Sequence, residues 1–382
     1  MPIIIKDKKM CCGCTACQQI CPKNCIEMVR DNEGFLYPKI NRNNCIYCGL
    51  CERACPEISP FDIVSPIDCY AAKSSDETIR KESSSGGMFT LIAEYVLSQN
   101  GVVFGARFDE NWQVVMDYTE NKDGLKKFRG SKYVQCSIGD SYAQARDFLK
   151  SGRKVLYTGS SCQIAGLRRY LGHNYDNLLL VDYLCHGAPS PFLWEKYLEE
   201  ISQHNVSSLT NISFRSKKRG WKNFGIVIEV GKHIIVDSAF FNNIYMKAFL
   251  SDMSLRPSCY HCLARNGRSG SDLTIGDHWA IRNINTLFDD DDGVSLVLLN
   301  TDKGYKTFKR INTESIQTDF EKSKKYNGAF YKATEEHLHR KRFFRKLQYR
   351  DDVCSLINEE LEITMFDHIQ KNVKKLLDLI VK

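Results

Sequence analysis

The chain has 382 residues, 43% of them apolar and 26% charged, and 53 basic against 46 acidic side chains give a net charge of +7. That length allows two or three domains with cores of their own, in a composition ordinary for a soluble globular protein. The mild positive excess fits an acidic redox partner or an anionic substrate and is too weak to argue for nucleic acid. No apolar run reaches membrane-spanning length, and the first nine residues lack the apolar stretch of a signal peptide. Seventeen cysteines without such a signal point to a reducing cytoplasm, where thiolates serve metals.

The first element along the chain is a repeated cysteine run. Cys11, Cys14, Cys17 and Cys21 are followed by Pro22, and Cys45, Cys48, Cys51 and Cys55 by Pro56. Both copies read C-x2-C-x2-C-x3-C-P, the bacterial ferredoxin spacing, in which each copy lends its fourth thiolate to the other copy's 4Fe–4S cluster. One cluster is then expected on Cys11, Cys14, Cys17 and Cys55, the other on Cys45, Cys48, Cys51 and Cys21. Two proline-terminated quartets weigh against zinc and against a disulfide framework. Cys12 and Cys25 fall outside the spacing and read as bystanders packed against the clusters. Between the runs, Ile26–Val29 and Gly34–Pro38 read as short strands about a turn at Asp31–Gly34. Residues 1–62 are expected to form a ferredoxin-like α+β module, followed by a linker containing Pro60 and Pro66.

Ser83, Ser84, Ser85, Gly86 and Gly87 precede a helical pattern at Met88, Leu91, Ile92, Tyr95 and Val96 that stops near Asn100-Gly101. Backbone N–H groups at such a helix start suit a phosphate. Val102–Ala106 reads as a buried strand, Arg129–Ser137 as a basic turn, and 140–150 as a helix. Lys154–Tyr157, a tight loop at Thr158–Cys162, a helix over Gln163–Leu171 and a strand over Leu178–Leu184 make a βαβ unit with parallel strands. A helix over 191–203 follows, then strand pairs near 210–214 and 225–237. The basic run His339–Lys346 reads as a solvated helix face, and Phe366, Ile369, Val373, Leu376, Leu377 and Ile380 as a stripe that docks on a core.

A second cysteine constellation lies in this part of the chain. Cys162 and Cys185 fall at the ends of the two parallel strands, on one sheet edge, where sites are built. Cys259 and Cys262 form a C-x2-C in a loop with Arg256, Arg265 and Arg268. Four thiols with arginines to offset their charge point to a third 4Fe–4S cluster. The same four would also suit a structural zinc, Cys162 alone a low-pKa nucleophile, and each singly a core cysteine. His186 and His261, beside them, read as polar neighbours rather than ligands. No dinucleotide fingerprint or Walker loop is present.

Seven segments resemble the β-subunit family of coenzyme F420 hydrogenase/dehydrogenase. They are Ser84-Ser-Gly-Gly-Met-Phe89, Val102-Val-Phe-Gly-Ala106, Arg129-Gly-Ser-Lys-Tyr-Val-Gln135, Gly159-Ser-Ser-Cys-Gln-Ile-Ala-Gly-Leu167, Val181-Asp-Tyr-Leu-Cys-His-Gly187, Phe214-Arg-Ser-Lys-Lys-Arg-Gly-Trp221 and Asp272-Leu-Thr-Ile-Gly-Asp-His-Trp279. They stand in family order, behind a ferredoxin module as in bacterial members. His278 stands where the family more often has an aromatic, and Cys136 where a serine is usual.

The resemblance implies a multidomain α/β protein: residues 63–150 and 151–310 as the two parts of the β-subunit domain, flavin-binding first and third cluster second, then a helical tail over 311–382. It implies FAD, held by Ser83–Gly87, by Arg129, Gly130, Ser131, Lys132 and Tyr133, and near Asp277. The chain then reads as a cytoplasmic iron–sulfur flavoprotein oxidoreductase. It would pass electrons between a redox protein, either a ferredoxin or a partner subunit, and a small organic acceptor, with no nucleic-acid or membrane partner. Arg215, Lys217 and Arg219 would attract an acidic acceptor, with Trp221 over the flavin or the ligand; the competing reading of that segment is an exposed hairpin loop. The rivals for the whole chain are an electron-transfer subunit without a substrate of its own and a cluster-based sensor.

Overall fold

The computed structural model describes residues 2–362; the apolar stripe at Phe366–Ile380 lies outside them. In the N-terminal module, β1 (Ile26–Arg30) pairs antiparallel with β2 (Leu36–Ile40), Ile26 opposite Ile40. Asp31 makes the turn between them: its Oδ1 accepts from the N–H groups of Glu33 and Phe35 at 3.0 and 2.9 Å. The two cysteine runs share one backbone device. Gly13 and Thr15 in the first, and Tyr47 and Gly49 in the second, all have φ between 56° and 74°. These left-handed residues turn each run, and the second of each pair starts a short helix, Ala16–Gln19 or Leu50–Arg53.

The remaining strands are β3 (Asp68–Lys73), β4 (Val102–Phe108), β5 (Val114–Thr119), β6 (Val155–Ser160), β7 (Leu178–Tyr183), β8 (Leu209–Ser216), β9 (Gly225–Val230), β10 (His233–Ala239), β11 (Leu273–Asp277), β12 (Ser295–Leu299) and β13 (Glu314–Gln317). Eight form one sheet in the order β13-β3-β12-β11-β7-β6-β4-β5, and β10-β9-β8 form a second, antiparallel one. The four central neighbours β11, β7, β6 and β4 run parallel. Their unbroken apolar runs follow from burial on both faces. Val102, Phe104, Val155, Tyr157, Leu178 and Leu180 pack into one core with Trp194, Phe214 and Tyr245. The intervening Val103, Leu156, Leu179 and Val181 pack into the other with Met88, Ile92 and Val96.

The βαβ unit and the helices Met88–Leu97, Ser141–Lys150 and Pro191–Ile201 stand where the pattern puts them. Three differences have physical causes. The loop expected at Thr158–Cys162 is absent, because β6 runs straight into the helix Ser161–Leu171. A capping box between Ser160 and Gln163 closes the joint, with Gln163 Oε1 accepting from Ser160 N at 2.9 Å. β13 lies in the expected helical tail; it is a sheet edge, so its polar residues stay in solvent. The basic run is the helix Arg340–Leu347, and it is not simply solvated. Arg340 is buried on the Leu255 carbonyl and on Glu33 at 2.6 Å.

The ferredoxin-like module is embedded rather than tethered. Cys12, Cys14, Ala16, Phe35 and Ala54 belong to the largest core. Gln19 Oε1 caps Ala143 N at 3.1 Å. Cys14 lies so close to Gly166 that a Cβ there would come 2.8 Å from Cys14 Cβ and 2.9 Å from its Sγ.

Candidate functional site

The carboxyl ends of β4, β6, β7 and β11 open into a cavity of about 820 Å³, the edge at which parallel sheets place their sites. Cys162, Cys185, Cys259 and Cys262 line one region of it. Cys162 is the second residue of the helix after β6, Cys185 lies two residues past β7, and the other two bracket the end of a 3-10 turn, Pro257–His261. Burial pushes the Cys259 thiol up to about 12 and Cys262 up to about 11, and the neighbouring thiols add to both. Arg265 opposes the rise at Cys185 and Cys262. Ala188 N donates to Cys259 Sγ at 3.3 Å.

In the N-terminal module, burial and the mutual repulsion of Cys11, Cys17 and Cys55 raise Cys17 well above the usual thiol range and Cys55 to about 11. Cys21, Cys45, Cys48 and Cys51 line a separate small hollow with Ile26, Ile40 and Leu50. Ile3 N donates to Cys51 Sγ at 3.3 Å and Tyr47 N to Cys45 Sγ at 3.5 Å. Cys11, Cys14, Cys17 and Cys55 are buried, while Cys48 is exposed and Cys21 and Cys45 half-buried; gathered thiols with N–H groups aimed at sulfur are the donor chemistry of iron–sulfur centres. Among the described residues no three His, Cys, Asp or Glu side chains close on a point fit for one metal ion; a four-iron cluster carries its thiolates on separate irons. The two cysteines outside the spacing share these pockets. Cys12 lines the large cavity and Cys25 the hollow, with Cys25 Sγ 3.4 Å from Cys21 Sγ.

The residues expected at the flavin line the same cavity, apart from Gly86. Gly86 is held against the sheet, its N–H on Ser295 Oγ at 3.0 Å, and a Cβ there would come 2.4 Å from the Ala72 carbonyl. The loops Ser83–Gly87 and Arg129–Tyr133 are zipped together: Ser131 N donates to Ser84 Oγ at 2.7 Å. Gly130, at φ +78°, has nothing within 4 Å of where a Cβ would stand, so it leaves open room on the cavity wall. Lys132 does not point outward. Its ammonium binds the carbonyls of Phe128, Arg129 and Gly130 at 3.1 to 3.4 Å, and burial pulls it down to about 8. Arg129 is paired with Glu82.

Asp277 accepts both arms of Arg215, at 2.8 and 3.0 Å, and Trp221 Nε1 at 2.8 Å. This corrects the expectation that Arg215, Lys217 and Arg219 stand free for an acidic acceptor, although Lys218 and Arg219 are exposed as in a hairpin loop. Arg215 and Trp221 are buried. Lys217 Nζ is spent on the carbonyls of Arg80, Ser85 and Asp292, and Arg219 is paired with Asp237. The segment is a hairpin connection, but two of its charges, Arg215 and Lys217, brace the cavity wall through Asp277, the 83–87 loop and the Asp292 carbonyl. Trp279, 37% exposed, stacks on Trp221 at 4.9 Å and takes the place at the cavity expected for Trp221. His278, the residue after β11, does not line the cavity and is fully buried against Thr318 and Ser323.

Sequence reading missed Glu57, Asp182, Trp279 and Phe249, which all line the cavity. Asp182 had a signal, a lone carboxylate in an apolar strand. Burial raises it, and the Ser161 and Ser271 hydroxyls, at 2.7 and 2.8 Å, hold it back. His186, beside Cys185, binds Asp252 at 2.7 Å, while His261 is exposed.

Three family models match the chain. The one for the 4Fe-4S dicluster domain covers residues 10–57. Two describe the beta subunit of coenzyme F420 hydrogenase/dehydrogenase: its N-terminal part matches residues 69–141 and its C-terminal part residues 152–324. Two curated relatives are from Methanocaldococcus jannaschii. An uncharacterized polyferredoxin-like protein is 37% identical over 68 residues, 16% of this chain and 40% of its own length. The coenzyme F420-dependent sulfite reductase is 27% identical over 225 residues, 53% of this chain and 34% of its own length. The chain thus spans less than half of either. A solved chain from the F420-reducing nickel–iron hydrogenase complex of Methanosarcina barkeri is 17% identical with a TM-score of 0.47, covering 82% of this chain and 93% of that one. Among the described residues no helix is long and apolar enough to cross a membrane.

Proposed function

We propose that this chain, which the models for both halves of the coenzyme F420 hydrogenase/dehydrogenase beta subunit identify as one of that family, is an iron–sulfur flavoprotein oxidoreductase. It would exchange electrons between a redox protein and a small organic acceptor. The observation that carries the reading is the shared cavity: a set of four thiols and a pair of Ser/Gly loops face one space of about 820 Å³, within the size range of ligand pockets. The three thiol sets would hold 4Fe–4S clusters, which exchange single electrons, and the cavity FAD, which can take two.

The protein's own residues supply the setting. Cys162, Cys185, Cys259 and Cys262 would bind the third cluster, with Arg265 opposing the gathered negative charge. The N–H groups and open space at Ser83–Gly87 and Gly130 would receive a phosphate-bearing ligand. The Arg215–Asp277 pair, closed on itself, fixes the wall without leaving a free base there. Trp279 offers a flat apolar face to whatever enters. Domain boundaries near 62 and 150 divide the chain on this reading by what each part binds, although one sheet draws strands from both sides of 150.

The test is cofactor content of anaerobically prepared protein. About twelve irons per chain and bound FAD are expected, and Cys262→Ser should remove about four irons and leave about eight. Unchanged iron in that variant would sink the third cluster. Protein that neither retains nor accepts FAD would favour an electron-transfer subunit without its own substrate. Turnover of a candidate acceptor with reduced ferredoxin then separates enzyme from carrier.

A further inference from the structure

Arg256 stands three residues before Cys259 and lines the same cavity, but its hydrogen bonds go elsewhere. Its side chain is 1% exposed and crosses into the ferredoxin-like module. Nε donates to the Cys11 carbonyl at 2.7 Å, one arm to Gln135 Oε1 at 3.0 Å, and the other to the Leu36 carbonyl at 2.8 Å and to Cys11 Sγ at 3.5 Å. The guanidinium also lies over Tyr37, 4.3 Å from the ring centre. Gly13, inside the first C-x2-C, is shaped to admit it: a Cβ there would come 2.7 Å from the arginine's terminal nitrogen.

A buried cation needs a counter-charge, or its desolvation costs several kcal/mol. Of the four atoms that accept from Arg256, only the sulfur can be anionic. Charge-assisted donors are also the ones that shift electron density on a ligand sulfur. We infer that Arg256 is a positioning residue for the cluster of Cys11, Cys14, Cys17 and Cys55: its hydrogen bond to the Cys11 sulfur holds the reduction potential of that cluster up. Its place in the sequence suggests a partner to Cys259 and Cys262; the contacts assign it to Cys11 instead. The inference rests on the iron–sulfur reading, and the two fail separately, since iron content tests the reading and the potential tests the inference.

The experiment is a potentiometric titration of the full chain, prepared anaerobically and followed by EPR. Arg256→Gln should keep all its iron and make one cluster signal harder to reduce by at least tenfold in the equilibrium constant, about 59 mV downward for one electron. Arg256→Lys, which keeps a charge but loses the fork, should move the same signal the same way by less. In unsubstituted protein labelled with 15N-arginine, that reduced cluster should show coupling to arginine nitrogen. An unchanged potential in a variant that retains its iron overturns the inference. So does selective loss of the first cluster's iron, which would make the arginine a purely structural clamp. Absent nitrogen coupling overturns it even if neither variant folds.

Discussion

Gly130 and Arg215 show how single residues shape the cavity. Gly130→Leu would place a side chain in the space that a ligand is proposed to use, at a φ that costs a branched residue about 1–2 kcal/mol. The expected result is a lower flavin-to-protein ratio with only a small drop in melting temperature, measured on the same preparation. Arg215 is buried, Asp277 half-buried, and the two are hydrogen-bonded to each other, so removing Asp277 leaves a buried cation uncompensated and removing Arg215 leaves a half-buried carboxylate without its main partner. Arg215→Met should destabilise the fold by about 3–5 kcal/mol, whereas Arg215→Met with Asp277→Leu should recover part of that loss. Denaturant unfolding of the two variants and of Asp277→Leu closes the cycle; strictly additive losses would mean that the pair does not act as a unit. Replacing Lys217 should likewise cost stability rather than raise KM alone, because its ammonium holds three backbone carbonyls.

The end of strand β11 places chemistry and support side by side. Asp277 faces the cavity, and His278 the buried layer with Thr318 and Ser323. Burial pulls His278 down to about 4 from an ordinary 6.5. As pH falls, the unfolded chain therefore takes this proton first. The stability linked to His278 is complete above pH 6.5 and is lost between there and about pH 4. The shift corresponds to an upper bound of roughly 3 kcal/mol. Thermal unfolding at steps from pH 7 to 4.5 should show a shallower decline for His278→Gln than for the unsubstituted chain; parallel declines would remove His278 as the source.

The whole molecule depends on a seam between the ferredoxin-like module and the large sheet. Phe35 fills a gap next to Phe344, and Glu33 pairs with Arg340. Gly166 admits Cys14 where no side chain would fit. Gly166→Val should push the seam apart and lose the iron of the first set while the third set keeps its own. Iron analysis with EPR reads both, and equal loss from all sets would mean general unfolding. Because the module shares the main core, calorimetry of the intact chain should give one transition rather than a separate melting of residues 1–62.

Local signals determined a good part of this protein. The two cysteine runs set their own turns through paired left-handed residues, and the apolar runs at 102–106, 154–157 and 178–184 read as central strands because they are short, continuous and buried on both faces. The gathering of Cys162 and Cys185 on one edge followed from parallel βαβ geometry. What stayed hidden were relations between distant segments. β13 is too short and polar to announce itself and exists because β3 offers an edge. Lys132, Arg215 and Lys217 read as free positive charge, yet Lys132 is spent on carbonyls two to four residues back in its own turn, and Arg215 and Lys217 on a carboxylate and carbonyls far away in sequence. Charge is visible in a sequence, whereas its neutralisation depends on which chain segments meet. Arg256 is the clearest case: its cysteine partner is 245 positions away, and only the tertiary structure decides that the two touch.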